Sequence, residues 1–298
     1  MTVYSTSDRV NNTEQSPTVC VLGTGTMGAG MARNLAAAGL ETRAWNRTAA
    51  RAAPLADVGV RVCADVAEAV RDAEVIVTML WDVAAVEGVL RAAGGGWSPG
   101  AVLLQTSTVG PDGATRVGEV AAELGLRHVD APVQGTKQPA EAGTLVVLAS
   151  GPEDTRPVLD PVLDAIGSRT LWLGEAGAGS RLKLATNAFV LTVTASLAES
   201  IRVAAALGVE ASTFVDAIAG GPLESPFVAK KAQAILARDW APAFAVDGAL
   251  KDAGLIEAAA AAVGLEVPLT RVAGIRLADL VARGHGGEDI AALGRDGL

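Results

Sequence analysis

Cysteine and histidine, the usual ligands of transition metals, are scarce in this sequence. Its 298 residues include only two cysteines and two histidines. Cys20 and Cys63 stand in apolar stretches typical of strands, so we expect reduced core residues and neither a disulfide nor a metal pair. His128 and His285 are too few for a histidine-based metal centre. The sequence therefore predicts that the protein binds no metal.

Runs of basic residues and unbroken apolar stretches are also missing. The 24 lysines and arginines are scattered and the formal net charge is −9, which argues against a nucleic-acid partner because phosphate binding needs a basic face. The most apolar segment is interrupted by Asn187, Glu199 and Arg202, so we expect no membrane span. Residues 1–17 are polar, lack the apolar core of a secretory signal, and are predicted to be a disordered tail. These features predict a cytoplasmic protein.

Strand and helix patterns alternate over the first part of the chain. Half of the residues are hydrophobic, which is ample for a core, and the length favours two domains. Short apolar runs separated by helical segments predict a parallel sheet with helices on both faces. The expected strands cover residues 18–22, 42–45, 61–63, 75–79, 102–104 and 128–130, with 144–149 and 170–173 as the last strands of the same sheet. After Gly179 the alternation stops and Ala-rich helices follow.

A glycine-rich turn lies between the first predicted strand and the first predicted helix. Its G-x-G-x-x-G motif supplies a tight turn, close backbone approach to a pyrophosphate, and a helix N-terminus aimed at the charge. An ordinary glycine turn is the alternative, but the flanking strand and helix favour dinucleotide binding. The predicted contacts are Gly23, Gly25, Thr26, Met27 and Gly28. We therefore predict an α/β fold with an N-terminal Rossmann-type doubly wound sheet over 18–177, a long interdomain helix, and an all-helical C-terminal domain for substrate binding and dimerisation over 178–298.

The end of the second predicted strand carries Asn46, Arg47 and Thr48. Rossmann domains that bind NAD have an Asp or Glu about 20 residues after the glycine motif, which accepts hydrogen bonds from the ribose hydroxyls. A guanidinium beside a hydroxyl suits a 2′-phosphate instead. The alternative is that Arg47 is solvated and that Thr48 only caps the next helix. We predict that all three residues contact the cofactor and that NADP(H) is preferred over NAD(H).

Two polar clusters follow predicted strands. Ser107 and Thr108 come after the strand at 102–104, and Gln134-Gly135-Thr136 comes after the strand at 128–130. Because ligands of open α/β sheets bind at the carboxyl edge, both clusters are expected there. Their hydroxyl and amide groups can bind a carboxylate through neutral hydrogen bonds. Each cluster alone is also typical of a polar loop.

The longest predicted helix runs from Ser180 to Gly208 and opens from a glycine-rich turn. Its residues are almost all good helix formers. Lys183 and Asn187 are four residues apart and therefore share one face of its first turns, where a cleft between two domains is expected. An ammonium and an amide there can act on a carbonyl group. The alternative is that both are solvated surface residues.

These motifs together resemble the β-hydroxyacid dehydrogenase family, relatives of 3-hydroxyisobutyrate and 6-phosphogluconate dehydrogenases, and within it most of all the glyoxylate and succinic semialdehyde reductase branch. The likeness covers about residues 18–295. It rests on Gly23-Thr-Gly-Thr-Met-Gly-Ala-Gly-Met-Ala-Arg-Asn-Leu35, Ser107-Thr-Val109, Asp130-Ala-Pro-Val-Gln-Gly-Thr136, Gly177-x-Gly-x-x-x-Lys183-x-x-x-Asn187 and Lys251-Asp252.

The resemblance implies an NADPH-dependent oxidoreductase that interconverts a short carboxylate-bearing aldehyde or keto acid and its hydroxyacid. Lys183 is implied to be the catalytic general acid and base, with Asn187 beside it. Further implied contacts are, for the cofactor, Met79, Leu80, Thr108 and Lys251, and for the substrate, Ser107, Gln134, Gly135, Thr136, Phe244 and Asp252.

One departure from the family leaves the substrate open, because Gln134-Gly135-Thr136 stands where Ser-Gly-Gly is common. Two other functions also stay open. The first is an imine reductase: the segment 45–48 resembles that of imine reductases, but those enzymes generally lack a lysine in the long helix. The second is an NADP-binding interaction protein without catalytic activity, which would not need a complete set of catalytic side chains. Ala-rich helices that are apolar all round further predict a homodimer or homotetramer through the helical domain.

Overall fold

A computed structural model describes residues 2–3 and 16–296 of the chain. The chain divides into two compact units, Met1–Lys183 and Leu184–Leu298. This division falls inside a long helix, whereas the boundary predicted at 177/178 falls at the start of that helix. The disordered tail predicted over 1–17 lies mostly outside the described residues; Thr2–Val3, within this range, forms a short strand.

The first unit alternates strands and helices. Its strands are β1 (Thr2–Val3), β2 (Val19–Leu22), β3 (Thr42–Trp45), β4 (Arg61–Val62), β5 (Val75–Thr78), β6 (Val102–Gln105), β7 (Arg127–Asp130), β8 (Val133–Gln134), β9 (Leu145–Ala149) and β10 (Gly167–Trp172). Its helices are α1 (Gly28–Ala37), α2 (Ala49–Ala52), α3 (Val66–Val70), α4 (Val83–Ala93), α5 (Gly110–Glu123), α6 (Lys137–Glu141) and α7 (Arg156–Ile166), with 3-10 turns at Ala53–Val58 and Glu153–Thr155.

Six of these strands form one parallel sheet in the order β4-β3-β2-β5-β6-β7. The chain order reverses between β2 and β5, so the loops after these two strands flank the crevice in which such sheets bind ligands. Val19 and Val21 of β2 enter one hydrophobic core, and Cys20 and Leu22 enter the other, because successive strand residues face opposite sides. Cys20 and Cys63 are buried free thiols, as predicted. The predicted doubly wound sheet is confirmed.

The strands predicted at 144–149 and 170–173 do not extend this sheet, and that expectation is wrong. They form β9 and β10 of a second sheet, in the order β1-β10-β9-β8. The chain turns after β7, where Asp130 makes an isolated antiparallel bridge with Ser150. Pro132 then interrupts the ladder because it has no N–H to donate. β8, which pairs antiparallel with β9, is only two residues long, too short to show any periodicity in the sequence.

Helix α1, which follows the glycine-rich loop, packs closely on α6. A Cβ atom at Gly30 would lie 2.6 Å from the carbonyl oxygen of Ala140. Asn34 donates a hydrogen bond from Nδ2 to the same oxygen at 2.8 Å. A residue larger than glycine would force the two helices apart. This contact holds α6, which follows the 134–136 loop, against α1, which follows the dinucleotide motif.

The long helix α8 (Ala178–Ala206) carries the chain from the first unit into the second. The later helices are α9 (Ala211–Ile218), α10 (Pro226–Ala237), α11 (Val246–Ala262) and α12 (Pro268–Ala282), followed by a 3-10 turn at Ile290–Gly294. Their shared core includes the fully buried side chains of Leu191, Ile235 and Leu277. The predicted all-helical second domain is confirmed over the described residues.

One helix in the described part of the chain, α8, is long and apolar enough to cross a membrane, judged by length and composition alone. This differs from the expectation that its polar residues exclude a span. Asn187, Glu199 and Arg202 are spread along the helix, so an 18-residue window of high mean hydropathy remains. A single helix of this kind is a weak indication of a membrane span, and Lys183 and Asn187 on α8 are buried within the protein.

Candidate functional site

The three glycines of the loop between β2 and α1 have three different surroundings. Gly23 has φ +102°, and a Cβ there would lie 2.3 Å from the carbonyl oxygen of Met79. A Cβ at Gly28 would lie 1.9 Å from the carbonyl oxygen of Gly23. At Gly25, by contrast, a Cβ would have no atom within 4 Å other than those of Gly25 and its neighbours in the chain. The loop thus makes a tight turn, packs α1 on the strand, and leaves open space for a pyrophosphate at the helix N-terminus.

The segment after β3 joins this loop. Asn46 accepts a hydrogen bond at Oδ1 from the Thr24 N–H at 3.0 Å and donates from Nδ2 to the carbonyl of Thr48 at 3.0 Å. Arg47 and Thr48 are exposed, and Arg47 makes no ion pair with any residue that the structure describes. Thr48 precedes α2, but its side chain makes no capping hydrogen bond. The alternative role of Thr48 as a side-chain cap therefore has no support.

The loops after β5 and β6 are hydrogen-bonded to each other through Ser107. Its hydroxyl accepts from the Leu80 N–H at 2.9 Å and donates to the carbonyl of Thr78 at 3.3 Å, and the side chain is fully buried. Thr108 and Leu80 are half-buried at the same edge of the sheet, the edge predicted from the sequence. The Ser107 hydroxyl can donate to a substrate carboxylate only if it gives up its hydrogen bond to the carbonyl of Thr78. Its predicted role in substrate binding stays a prediction.

The loop at 134–136 links the end of β8 to α6. Gly135 has φ +131°, and a Cβ there would lie 2.6 Å from Cδ2 of Leu145, so this position requires glycine. Thr136 is the N-cap residue of α6, and its hydroxyl makes no capping bond. Gln134 is half-buried. The loop therefore presents an amide and a hydroxyl on either side of a conformationally fixed glycine.

The first turn of α8 is hydrogen-bonded to the ends of β7 and β9. Asp130, fully buried at the end of β7, accepts from the N–H and from the hydroxyl of Ser180, each at 2.8 Å. Ser150, just after β9, accepts from the N–H of Gly179 at 2.9 Å. Lys183 follows one turn later and is itself buried. Asp130 and Ser150 were not predicted as site residues, although Asp130 is the first residue of the 130–136 motif on which the family resemblance rests.

Within the second unit, three predicted site residues form one cluster. Asn187 on α8 donates from Nδ2 to Oδ2 of Asp252 on α11 at 2.7 Å. Lys251 lies 3.0 Å from Oδ1 of the same carboxylate. Asn187 and Asp252 are buried, and Lys251 is partly exposed. The structure therefore brings together residues that lie 65 positions apart in the chain.

Phe244, in the loop before α11, is outside that hydrogen-bonded cluster. Its N–H donates to Oδ2 of Asp289 at 3.0 Å, as does the N–H of Ala243 at 3.0 Å. Asp289 also forms an ion pair with Lys231, and both side chains are buried. Neither partner of this pair was predicted, because no local motif marks an ion pair between residues so far apart.

Comparison with known proteins covers almost the whole chain. Residues 18–174 match the family described as the NAD binding domain of 6-phosphogluconate dehydrogenase, and residues 177–295 match the one described as NAD-binding of NADP-dependent 3-hydroxyisobutyrate dehydrogenase. Together with the glycine loop at the topological switch point, these matches define a nicotinamide-dependent oxidoreductase.

Individual relatives agree. The chain is 32% identical to 2-(hydroxymethyl)glutarate dehydrogenase of Eubacterium barkeri, over 94% of each chain. It is 28% identical to glyoxylate/succinic semialdehyde reductase 1 of Arabidopsis thaliana, over 91% of this chain and 95% of the relative. The crystal structure of 3-hydroxyisobutyrate dehydrogenase from Salmonella typhimurium superposes with a TM-score of 0.86 at 28% identity, covering 93% and 98% of the two chains. The chain belongs to the β-hydroxyacid dehydrogenase family, and it is an NAD(P)-dependent dehydrogenase of that family.

Proposed function

We propose that this dehydrogenase uses NADPH to reduce a short aldehyde or keto acid that carries a carboxylate, and that Lys183 is its general acid, and its general base in the reverse oxidation. The observation that carries the proposal is the position of Lys183. It is 8% exposed, near the start of a helix whose first turn is hydrogen-bonded to the sheet edge, and Asn187 follows one turn later. Lysine is among the residues least often buried, so a buried lysine here favours a function.

The chemistry follows from the charge that develops on the substrate. When bound, the nicotinamide supplies the hydride for reduction and accepts it in oxidation. As the carbonyl carbon is reduced, negative charge builds on its oxygen, and the Lys183 ammonium donates a proton there; in oxidation the neutral amine accepts the hydroxyl proton. The Asn187 amide, oriented by its bond to Asp252, holds the carbonyl or hydroxyl oxygen of the substrate.

A neutral set of donors is proposed to bind the substrate carboxylate. The amide of Gln134 and the hydroxyl of Thr136 flank Gly135, whose conformation fixes the loop. A substrate without a carboxylate forgoes these hydrogen bonds, each with a net worth of about 0.5–1.5 kcal/mol. The names of two relatives, 2-(hydroxymethyl)glutarate dehydrogenase and glyoxylate/succinic semialdehyde reductase, also point to carboxylate substrates.

The preference for NADPH is supported by the end of β3. Arg47 is an exposed cation beside the glycine loop, and the adjacent Thr48 hydroxyl makes no capping bond. Among the described residues of this segment, 45–48, no carboxylate is present to bind the ribose hydroxyls of NAD. A guanidinium binds a phosphate through charge-assisted and often bidentate hydrogen bonds.

A substrate panel tests the proposal. NADPH and NADH oxidation is measured with glyoxylate, succinic semialdehyde, butanal and a cyclic imine. We expect NADPH to be preferred, and kcat/KM for succinic semialdehyde to exceed that for butanal by about tenfold, as the loss of one or two hydrogen bonds implies. Equal rates with butanal would exclude the carboxylate site, and turnover confined to the imine would make the protein an imine reductase.

The predicted homodimer or homotetramer is also part of this proposal. Leu269, Val272 and Ile275 lie three residues apart on α12 and are 72%, 57% and 65% exposed, so they form an apolar stripe on one helix face. Soluble monomers rarely expose such a patch, and a second copy of the chain would cover it. Sedimentation velocity of the wild type and of Ile275→Lys tests this: the variant should dissociate, and a monomeric wild type would contradict the proposal.

A further inference from the structure

A fully buried carboxylate holds the first turn of the helix that carries Lys183. Asp130 accepts the Ser180 N–H at Oδ2 and the Ser180 hydroxyl at Oδ1, both at 2.8 Å. One residue of the helix thus occupies both carboxylate oxygens. The first four N–H groups of any helix lack partners inside the helix, and here one of them is bound to the end of a strand.

Ser150 adds a second connection between the sheet and the same turn. Its hydroxyl accepts from the Gly179 N–H at 2.9 Å and lies 3.1 Å from the carbonyl oxygen of Asp130 and 3.3 Å from Oδ2. Two consecutive N–H groups of the helix are therefore bound to the sheet edge. Like Asp130, Ser150 is fully buried.

The backbone of this turn also lies in direct contact with the strands. A Cβ at Gly179 would be 2.1 Å from the carbonyl oxygen of Leu148 and 2.9 Å from that of Asp130. Burial raises the pKa of Asp130, and its hydrogen bonds from Ser180 and Ser150 lower it in part. A buried carboxylate is a costly way to cap a helix, for which a serine or an asparagine serves equally well.

We propose that Asp130 is the positioning residue of Lys183. By binding Ser180, it fixes the rotation of α8 about its axis and its position along that axis, and so fixes the catalytic lysine three residues later. The inference rests on the proposed catalytic role of Lys183. Residues three apart are neighbours on one helix face, so a rotation or shift of the helix at Ser180 moves Lys183 with it. A displacement of about 1 Å at a reacting group can lower a rate by about a hundredfold.

Three variants test the proposal. In Asp130→Ala both bonds to Ser180 are lost. In Asp130→Asn the amide oxygen can still accept from the Ser180 N–H, while its NH₂ donates to the Ser180 hydroxyl, which turns to accept. The matched control is Val129→Ala, which removes packing from the adjacent fully buried position of β7 and leaves the bonds to Ser180 in place.

We expect kcat for Asp130→Ala to fall by about a hundredfold, while the dissociation constant for NADPH stays within about threefold, because the loss falls on alignment of the proton donor. Asp130→Asn should recover kcat to within about tenfold of the wild type. Val129→Ala should keep its kcat despite a lowered melting temperature. An Asp130→Ala enzyme with near wild-type kcat, or a Val129→Ala enzyme that loses as much, would overturn the proposal.

Two further measurements keep the outcome unambiguous. If Asp130→Ala does not fold, Ser180→Ala is used instead, because it removes only the hydrogen bond from the Ser180 hydroxyl. Its kcat should fall about fivefold, which corresponds to the net contribution of one hydrogen bond. An unchanged kcat would overturn the proposal. Lys183→Met separates the two claims. An inactive Lys183→Met beside a fully active Asp130→Ala refutes the positioning role alone, whereas an active Lys183→Met refutes the proposed function.

Discussion

Replacing Lys231 by Met should destabilise the second unit much more than the same change at its neighbour Lys230. Both lysines lie on α10, but Lys230 is exposed, whereas Lys231 pairs with Asp289 and the two side chains are only 5% and 4% exposed. The Lys231 ammonium also lies 5.6 Å from the centre of the Phe227 ring. The two substitutions are chemically identical, so their difference compares a buried lysine in an ion pair with an exposed lysine on the same helix.

The size of the stability loss depends on the hydrogen bonds that Asp289 retains in the variant. Removing one partner of a buried ion pair costs about 3–5 kcal/mol, because the other charge is left buried. Asp289 would still accept from the N–H groups of Ala243, Phe244 and Ala291 at 3.0, 3.0 and 2.9 Å. We therefore expect the lower end, about 3 kcal/mol, against about 0.5 kcal/mol or less for Lys230→Met. Guanidinium titration followed by far-UV circular dichroism measures both.

The pH dependence gives an independent check with a definite sign. Burial raises the pKa of Asp289, but the hydrogen bonds from Lys231 and from Ala291 and Phe244 outweigh it and hold the pKa below its usual range. In the wild type the contribution of Asp289 to the free energy of unfolding is therefore fully present above the ordinary Asp pKa of about 3.9, and it is lost as the pH falls through the lower pKa that Asp289 has in the folded protein. Lys231→Met loses the hydrogen bond that lowers this pKa most, so we expect burial to prevail and the native pKa of Asp289 to rise.

The loss of unfolding free energy in Lys231→Met, relative to the wild type, should consequently be largest near neutral pH. It should shrink as the solution is acidified towards the ordinary Asp pKa, because protonation of Asp289 removes the buried charge. The Lys230→Met control should show no such trend. Equal stabilities of the two variants at neutral pH, or a deficit that grows on acidification, would refute the reasoning.

Two further predictions concern the cofactor. Arg47→Asp should raise KM for NADPH by about tenfold and change KM for NADH far less, because it removes a charge-assisted contact that solvent already weakens at this exposed side chain. Equal effects on both KM values in steady-state assays would show that Arg47 does not bind the 2′-phosphate. Gly25→Ala should weaken binding of both cofactors and leave the melting temperature unchanged, because its Cβ would enter open space. Gly28→Ala is the contrasting variant and should lower the melting temperature, since its Cβ would lie 1.9 Å from a carbonyl oxygen.

Features carried by local pattern could be predicted from the sequence. The strands β2, β3, β5 and β6 of the main sheet have four residues each that are mainly apolar or alternate between buried and partly buried, and Gly23 and Gly28 between β2 and α1 each have a steric reason. The helix breaks of the second unit follow Gly and Pro positions for the same reason. These signals need no knowledge of the rest of the chain.

What could not be predicted depends on contacts between distant segments. Asp130 and Ser180 are 50 residues apart, and Lys231 and Asp289 are 58 apart; no periodicity links such pairs. The assignment of β9 and β10 to the main sheet failed because a strand pattern reveals burial and not the neighbouring strand. The hydrogen bonds of the Ser107 hydroxyl to Leu80 and Thr78 could not be predicted either, because both partners lie far from Ser107 in the sequence.

The central claim is that Lys183 transfers the proton, and Lys183→Met tests it most directly, with Lys230→Met as the control. Turnover of the best substrate of the panel and the dissociation constant for NADPH are measured for both variants. The account predicts that kcat of Lys183→Met falls by about 100- to 10,000-fold, the usual worth of general acid catalysis, while NADPH binding and the Lys230→Met enzyme stay near wild type. A Lys183→Met enzyme that keeps more than about a tenth of the wild-type kcat would contradict the account.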